Sequence, residues 1–217
     1  MLANDRQKTA NDLAAQPFVE LSFGVIGETL PADHGYGLYS AIAHLCPDIH
    51  EQAGVSILTI PGIPDRNRKI YLTDQSRFRI RLLGDKISSV YKLAGKSLKI
   101  GSHSIRLGIP QIFCLQPHSA LRARLVVIKG FQEPEDFLEA ARRQLDTLEI
   151  SCGLEIPPNL ENLPDRKAIK IKRFRVVGFG LEASNLSDED SIKLQIFGIG
   201  GKRRMGCGVF VPSRGKL

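Results

Sequence analysis

The 217-residue chain has no tryptophan, and aromatic residues make up only 6% of it. Base stacking therefore cannot be its main means of recognition, because that mode needs a row of π-faces. Its four cysteines, Cys46, Cys114, Cys152 and Cys207, lie far apart. No two have C-x-x-C spacing, which speaks against a zinc site, and isolated thiols suit a reducing compartment. No apolar run reaches the roughly 20 residues of a membrane helix. The N-terminus, MLANDRQKTAND, is polar where a secretory leader would be apolar. These absences lead us to expect a cytoplasmic protein with no membrane partner. One further absence is local: no acidic residue follows Asp190.

What the chain has is positive charge. Thirty Lys and Arg stand against 23 Asp and Glu, a formal net charge of +7, which suits a polyanionic partner. The excess is concentrated. RKAIKIKRFR, from Arg166 to Arg175, holds six cations in ten residues. GIGGKRRMGCG, from Gly198 to Gly208, places five glycines around Lys202, Arg203 and Arg204. Arg214 and Lys216 add to the basic end. One basic run alone reads as a solvated face. Two in one half of the chain, one inside a glycine loop, favour nucleic acid.

Apolar content of 42% is that of a globular protein. Residues 1–16 read as a polar lead. FVELSFGVIG (Phe18 to Gly27) alternates as a strand does. ETLPADHGYGLYSAIAHLCPDIH predicts a helix capped by Asp33, with Leu38, Ile42 and Leu45 on one face and Pro47 at its end. VSILTI, KIYLT and RFRIRLL predict strands. In the last, Arg77, Arg79 and Arg81 alternate with Phe78, Ile80 and Leu82, so three arginines point out from one sheet face. A short helix from Asp85 to Leu93, a stop at Gly95 and a strand or hairpin in SLKIGSHSIRLG complete a β-α-β-β-α-β order. The second half repeats it. Strand LRARLVVIKG leads to helix EPEDFLEAARRQLDTLEI, whose acids come early and whose apolar side carries Phe137, Leu138, Ala141, Leu145 and Leu148. A hairpin arm in KAIKIKRFRVVGFGLEAS, a short capped helix in SDEDSIKLQIFGIG and a closing strand in CGVFVP follow. The expected class is α+β, with tandem ferredoxin-like domains over 17–112 and 118–217 and a boundary near Pro110 to Ser119.

The glycine loop matches neither common nucleotide fingerprint. A Walker A loop needs Ser or Thr after its lysine and a strand before it; this one has Arg203 and follows a helix. A Rossmann loop opens a helix within a βαβ unit, whereas this one leads into a strand. The physics still favours phosphate, because glycines let successive N–H groups approach an anion. The competing reading is a tight helix-to-strand connection with solvated cations.

With these residues in view, the chain resembles the CRISPR-associated endoribonucleases that process precursor CRISPR RNA, the Cas six family, in its compact MYXAN-type form. The likeness rests on the C-terminal GIGGKRRMGCGVFVP, on LPADHGYGLYSAIAHLCPDIHEQAGVS, and on RLGIPQIFCLQP and LAGKSLKIG. It spans nearly the whole chain. It implies RRM-like domains of the RAMP type and a CRISPR repeat RNA as substrate, often a small hairpin. It also implies cleavage without metal or other cofactor. The RNA's own 2′-hydroxyl attacks the adjacent phosphate, leaving a 2′,3′-cyclic phosphate. The product crRNA would pass to Cascade-type effector subunits.

Such a reaction needs a base, an acid and positive charge at the phosphate, and histidine suits acid or base work near neutral pH. The resemblance points first to His50 in DIHE and next to His34 in DHGY, with Tyr36 and Tyr39 assisting by hydrogen bonds. The two histidines flank one helix, about 20 Å apart, so they do not share one phosphate. Where some relatives carry a tyrosine late in this helix, the chain has Ala43 beside His44, which leaves His44 as a substitute. His103 and His118 read as bystanders. The histidines lack metal-ligand spacing. Gly198, Gly200, Gly201, Lys202, Arg203, Arg204, Gly206 and Gly208 would hold RNA phosphates. Lys170, Lys172, Arg173 and Arg175 of the arm would flank the hairpin stem. A non-catalytic crRNA-binding subunit of the same fold is the alternative, since fold alone does not decide activity.

Overall fold

The alternation in FVELSFGVI builds β1 (Phe18–Ile26), which puts Leu21 and Phe23 fully inside. In the computed structural model, residues 16–213 are described. Residues 1–15 of the polar lead, with Arg214 and Lys216, lie outside them. After β1 come the short β2 (Thr29–Pro31), helix α1 (Gly35–Leu45), β3 (Ser56–Leu58), the β4 (Ile63–Pro64)–β5 (Lys69–Tyr71) hairpin and β6 (Arg77–Leu83). Helix α2 (Ile87–Tyr91), β7 (Ser97–Ile100) and β8 (His103–Cys114) close the first half. The main sheet has the order β3-β6-β1-β8-β7, all antiparallel, and a small second sheet runs β2-β5-β4. Leaving out β7, the order is that of a ferredoxin-like unit: second, third, first, fourth.

The second half repeats the plan. It runs β9 (Leu121–Val126), α3 (Pro134–Thr147), β10 (Gly153–Glu155), β11 (Arg166–Ile171), β12 (Phe174–Ser184), α4 (Asp188–Phe197) and β13 (Phe210–Pro212). Its sheet order, β10-β12-β9-β13, is again second, third, first, fourth, and β11 pairs with the free half of β12 as a hairpin arm. Helix α3 starts with Pro134 and has Glu135 and Asp136 in its first turn, where proline fits and negative charge meets the helix dipole. Its Phe137 packs on Phe179 of β12 with ring centroids 4.9 Å apart. Helix α4 starts as its sequence predicts, with the Ser187 hydroxyl accepting the Asp190 N–H at 3.1 Å. Each half has its own main apolar core, one around Phe23, Leu38 and Phe78, the other around Phe137, Phe179 and Phe210.

Three local expectations change. His34, not Asp33, holds the N-cap position of α1, and no side chain caps it. The Asp33 carboxylate instead accepts the Lys170 N–H of the arm at 2.6 Å. The helix expected over Asp85 to Leu93 is a 3-10 turn at Gly84–Lys86 followed by α2. The third change matters most. Arg77 and Arg79 are half-exposed, but Arg81 is only 2% exposed. The alternation is correct, yet the second half of the chain covers that face at Arg81. Its Nε donates to Glu20 at 2.8 Å, and its Nη1 donates to the Phe210 carbonyl at 2.6 Å and the Gln195 carbonyl at 3.1 Å. Burial pushes the pKa of this guanidinium down, and the Glu20 carboxylate opposes the shift. Arg81 is thus a joint between the two halves. The Gln195 side chain continues it by donating to the Gln116 carbonyl at 2.8 Å.

Candidate active site

Helix α1 runs into Cys46 and Pro47, and the proline turns the chain into a 3-10 segment, Pro47–His50. Buried Ile49 pins this turn while His50 stays exposed. The hydroxyl of Tyr39, from the middle of α1, lies 2.5 Å from His50 Nδ1. The two rings meet edge to face, 5.4 Å apart. Tyr39 therefore occupies one ring nitrogen and leaves Nε2 for a substrate. If the ring is protonated at both nitrogens, Nδ1–H donates to the hydroxyl oxygen and Nε2–H can act as an acid. If only Nδ1 is protonated, Nδ1–H donates to the hydroxyl oxygen, and Nε2 presents a lone pair and can act as a base.

The other wall is the glycine loop between α4 and β13. Gly198 has φ 54° and Gly208 φ 64°. A Cβ on Gly198 would stand 1.9 Å from the Gly208 carbonyl oxygen, and one on Gly208 would stand 2.1 Å from that of Ile199. These two glycines let the loop close on itself. Gly206 and Gly200 also lie against neighbours, at Thr59 and the Val127 carbonyl. Close packing thus accounts for glycines that the sequence suggested were there for an anion. Several amides are also occupied. Gly200 N–H donates to Gln144 Oε1 at 2.7 Å, Gly201 N–H to the Val127 carbonyl at 2.9 Å and Gly208 N–H to the Leu125 carbonyl at 2.8 Å.

The three cations have separate tasks. Arg203 Nη1 donates to the Ile196 and Phe197 carbonyls at 2.9 and 2.6 Å, which caps the C-terminal end of α4. Burial, with Arg204 beside it, pushes its pKa down. Arg204 Nη2 donates to the Gln52 carbonyl at 2.7 Å. Gln52 Nε2 in turn donates to Ser89 Oγ at 2.9 Å, so the segment just after His50 is braced from both halves. Lys202, with φ 67°, is the exposed cation of the three. Lys202, Arg203 and Arg204 join Gly200, Gly201 and Tyr39 around a cleft of about 550 Å³, and Gly54 and Val55 complete its first-half wall. His50 does not itself line that cleft, but it bonds Tyr39, which does.

His34 lies elsewhere and is buried, 3% exposed. Its Nδ1 donates to the Pro31 carbonyl at 2.8 Å, and its Nε2 accepts the Ile60 N–H at 2.9 Å. Both ring nitrogens of His34 serve the backbone, whereas exposed His50 bonds Tyr39 through one of its two. Burial lowers the His34 pKa below its ordinary 6.5, against the opposing pull of the Pro31 carbonyl. The unfolded chain takes up this proton as pH falls through 6.5, whereas the folded chain resists it. The stability from neutral His34 is therefore complete above that value and lost as pH falls through the lower folded one. Melting at about pH 7.5 and about pH 5.5 is expected to show a larger drop in Tm for wild type than for His34→Gln. Equal drops would remove His34 as the source.

His44 is exposed on α1, His103 bonds Thr29 Oγ1 at 2.9 Å, and the backbone of His118 bonds Ser191 Oγ. Lys170, Lys172, Arg173 and Arg175 are all exposed on the arm. Their turn is Lys172–Arg173, with Lys172 at φ 54°. Sequence reasoning missed the Arg204–Gln52 brace, for which no local signal exists. It also passed over Arg66, Arg68 and Lys69, whose short run DRNRK was a visible signal.

A family model described as "Cas6 Crispr" matches residues 19–215. The chain is 33% identical over 195 residues to the "CRISPR-associated endonuclease Cas6" of Myxococcus xanthus (strain DK1622), covering 90% of this chain and 81% of that protein. The fold resembles a solved "CRISPR associated protein Cas6" at TM-score 0.63 and 13% identity, over 92% of this chain and all 100% of that one. The product of a Cas6-related gene from Pyrococcus furiosus gives TM-score 0.62 at 13% identity, over 93% and 100% of the two chains. A RAMP protein described as binding different RNA substrates gives 0.57 at 16% identity, over 89% and 98%. At such identities these structures speak for the fold, which is the tandem ferredoxin-like one.

Proposed function

The chain belongs to the Cas6 family of CRISPR-associated proteins, and from that premise we propose that it is an endoribonuclease that cuts CRISPR repeat RNA to release crRNA. The observation that carries the reading is the Tyr39–His50 pair beside a cleft walled by the glycine loop. In this reading the scissile phosphate sits in that cleft, with Lys202 as its counter-charge. The 2′-hydroxyl of the preceding nucleotide attacks the phosphorus, and the bond to the 5′-oxygen breaks. The products are a 2′,3′-cyclic phosphate and a 5′-hydroxyl. His50 Nε2 takes the proton off the attacking hydroxyl while Nδ1–H bonds the Tyr39 oxygen, and the imidazolium so formed returns a proton to the leaving oxygen, directly or through solvent. The chemistry is proposed to need no metal, because the nucleophile is the RNA's own hydroxyl, His50 moves the proton and Lys202 supplies the charge. Units 17–112 and 118–217 are proposed as the two domains, with the cleft between them. The crRNA product, and through it Cascade-type effector subunits, are the proposed partners.

The test is cleavage of a labelled repeat RNA in EDTA, with a 2′-deoxy substitution at the cut site as control. A single EDTA-resistant cut, abolished by the deoxy substitution, is expected. Tight binding without a cut would make the chain a non-catalytic crRNA-binding subunit.

A further inference from the structure

The glycine loop meets the first half of the chain through a 3-10 turn, Arg203–Met205. Three contacts hold this turn against that half. Arg204 Nη2 donates to the Gln52 carbonyl at 2.7 Å. The Met205 carbonyl lies against Gly35 at the start of α1, where a Cβ would stand 2.3 Å from that oxygen. Gly206, at φ 78°, lies against Thr59, and a Cβ there would stand 2.6 Å from Thr59 Cγ2. One glycine from each half thus permits an approach that a side chain would block.

Gln52 is the far end of the turn that carries His50. The N–H groups of Glu51 and Gln52 both donate to the Asp48 carbonyl, at 3.1 and 3.3 Å. Gln52 Nε2 donates to Ser89 Oγ at 2.9 Å, and Ser89 Oγ donates to the Lys86 carbonyl at 2.7 Å. Ile49 is buried on the other side of His50. The turn is therefore fixed at Ile49 and at Gln52, with exposed His50 between them. Of these anchors on Gln52, only Arg204 comes from the second half of the chain.

Among the described residues, two buried side-chain atoms have no hydrogen-bond partner, Gln52 Oε1 and Arg204 Nε, and both belong to this joint. A contact arranged for stability alone would pair them. Arg204 also has less to offer a phosphate than its place in the basic run suggests. One guanidinium nitrogen is spent on the Gln52 carbonyl and another is buried, whereas Lys202 is exposed. Lys202 and His50 belong to different halves of the chain, so their spacing depends on what ties the loop to the turn. A misplacement of about 1 Å at a reacting centre can cost about 100-fold in rate.

We propose that Arg204 is a positioning residue for cleavage: through the Gln52 carbonyl it sets the distance between the His50 turn and the glycine loop, and Gly35 permits the contact. This rests on the RNA-cleaving reading above and gives one residue of its cleft a part other than phosphate binding. The test measures single-turnover cleavage of repeat RNA at saturating protein, and affinity for the 2′-deoxy repeat over a salt series. Arg204→Met and Arg204→Lys are each expected to slow cleavage about 10- to 100-fold, with affinity within about threefold of wild type and the salt slope unchanged. Lysine keeps the charge, but its ammonium ends one bond short of the Nη2 position. Gly35→Ala changes no charge and should give the same pattern by pushing Met205 away. Lys202→Ala is the contrast, with weaker binding and a slope flatter by about 0.7. In a His50→Ala background, Arg204→Met should cost less than about twofold in rate, because its effect passes through His50. Circular dichroism melts check folding, and Arg204→Lys keeps the test open where Gly35→Ala does not fold. Full rate in Arg204→Lys, with lost affinity and a flatter slope in Arg204→Met, would overturn the proposal in favour of a phosphate contact. Wild-type rates in all three variants would overturn it outright. A wild type that cuts leaves the RNA-cleaving reading standing in either case, whereas one that does not cut removes both.

Discussion

Replacing His50 with alanine is expected to slow single-turnover cleavage of repeat RNA by about 10²- to 10⁴-fold, the usual worth of a positioned acid or base. Affinity for the RNA should stay near that of wild type, because His50 is exposed and packs no core. That split between rate and binding identifies a proton-moving role. Tyr39→Phe should cost less, about tenfold, since it removes one hydrogen bond to the ring and keeps the aromatic packing. His34→Ala gives the contrasting pattern. It leaves the Ile60 N–H and the Pro31 carbonyl without the partners they have now, so its damage should appear in melting temperature. Unchanged cleavage by His50→Ala would move the chemistry to another residue. Loss of cleavage together with RNA binding would mean that His50 acts by holding structure.

Arg81→Ala is expected to destabilise the protein by about 3–5 kcal/mol, the scale for removing one partner of a buried ion pair. It leaves Glu20, whose side chain is only 13% exposed, with only the longer 3.4 Å contact to half-exposed Arg79, and frees the carbonyls of Gln195 and Phe210. For a chain of this size each kcal/mol moves Tm by about 2–4 °C, so a fall of about 10 °C is expected. The double variant Arg81→Met with Glu20→Leu separates charge from shape. It removes both charges together and should recover much of the loss, because the remaining cost is two carbonyls without Arg81 and a partly exposed Arg79 without its carboxylate. A Tm within about 2 °C of wild type for Arg81→Ala would show that other contacts hold the halves together.

The order of the elements was readable in the chain itself. Alternation in FVELSFGVI and LRARLV, the acids in the first turn of α3 and the arginines later in it, and Ser187 before α4 each act within a few residues, so each appears locally in the sequence. The repetition of β-α-β-β-α-β followed from them. The basic arm and the glycine loop were legible for the same reason, as runs of charge and of small residues.

What lay beyond reach was which partner each residue meets. DHGY and DIHE present their histidines in similar surroundings, but one ring is closed between Pro31 and Ile60 while the other meets Tyr39. Arg203 and Arg204 sit beside Lys202 in the sequence, yet one caps α4 and the other crosses to Gln52. Arg81 lies on the face its alternation assigned, and 129 residues further on Phe210 supplies the carbonyl that buries it. Periodicity reports the face of an element on which a residue lies. It carries no information about what covers that face, because the cover comes from chain that is distant in sequence and near only once both sheets are packed. So the sequence by itself determined the elements, their order and the places where charge is concentrated. The tertiary structure decided which histidine stays exposed, which cations stay at the surface and which arginine joins the halves.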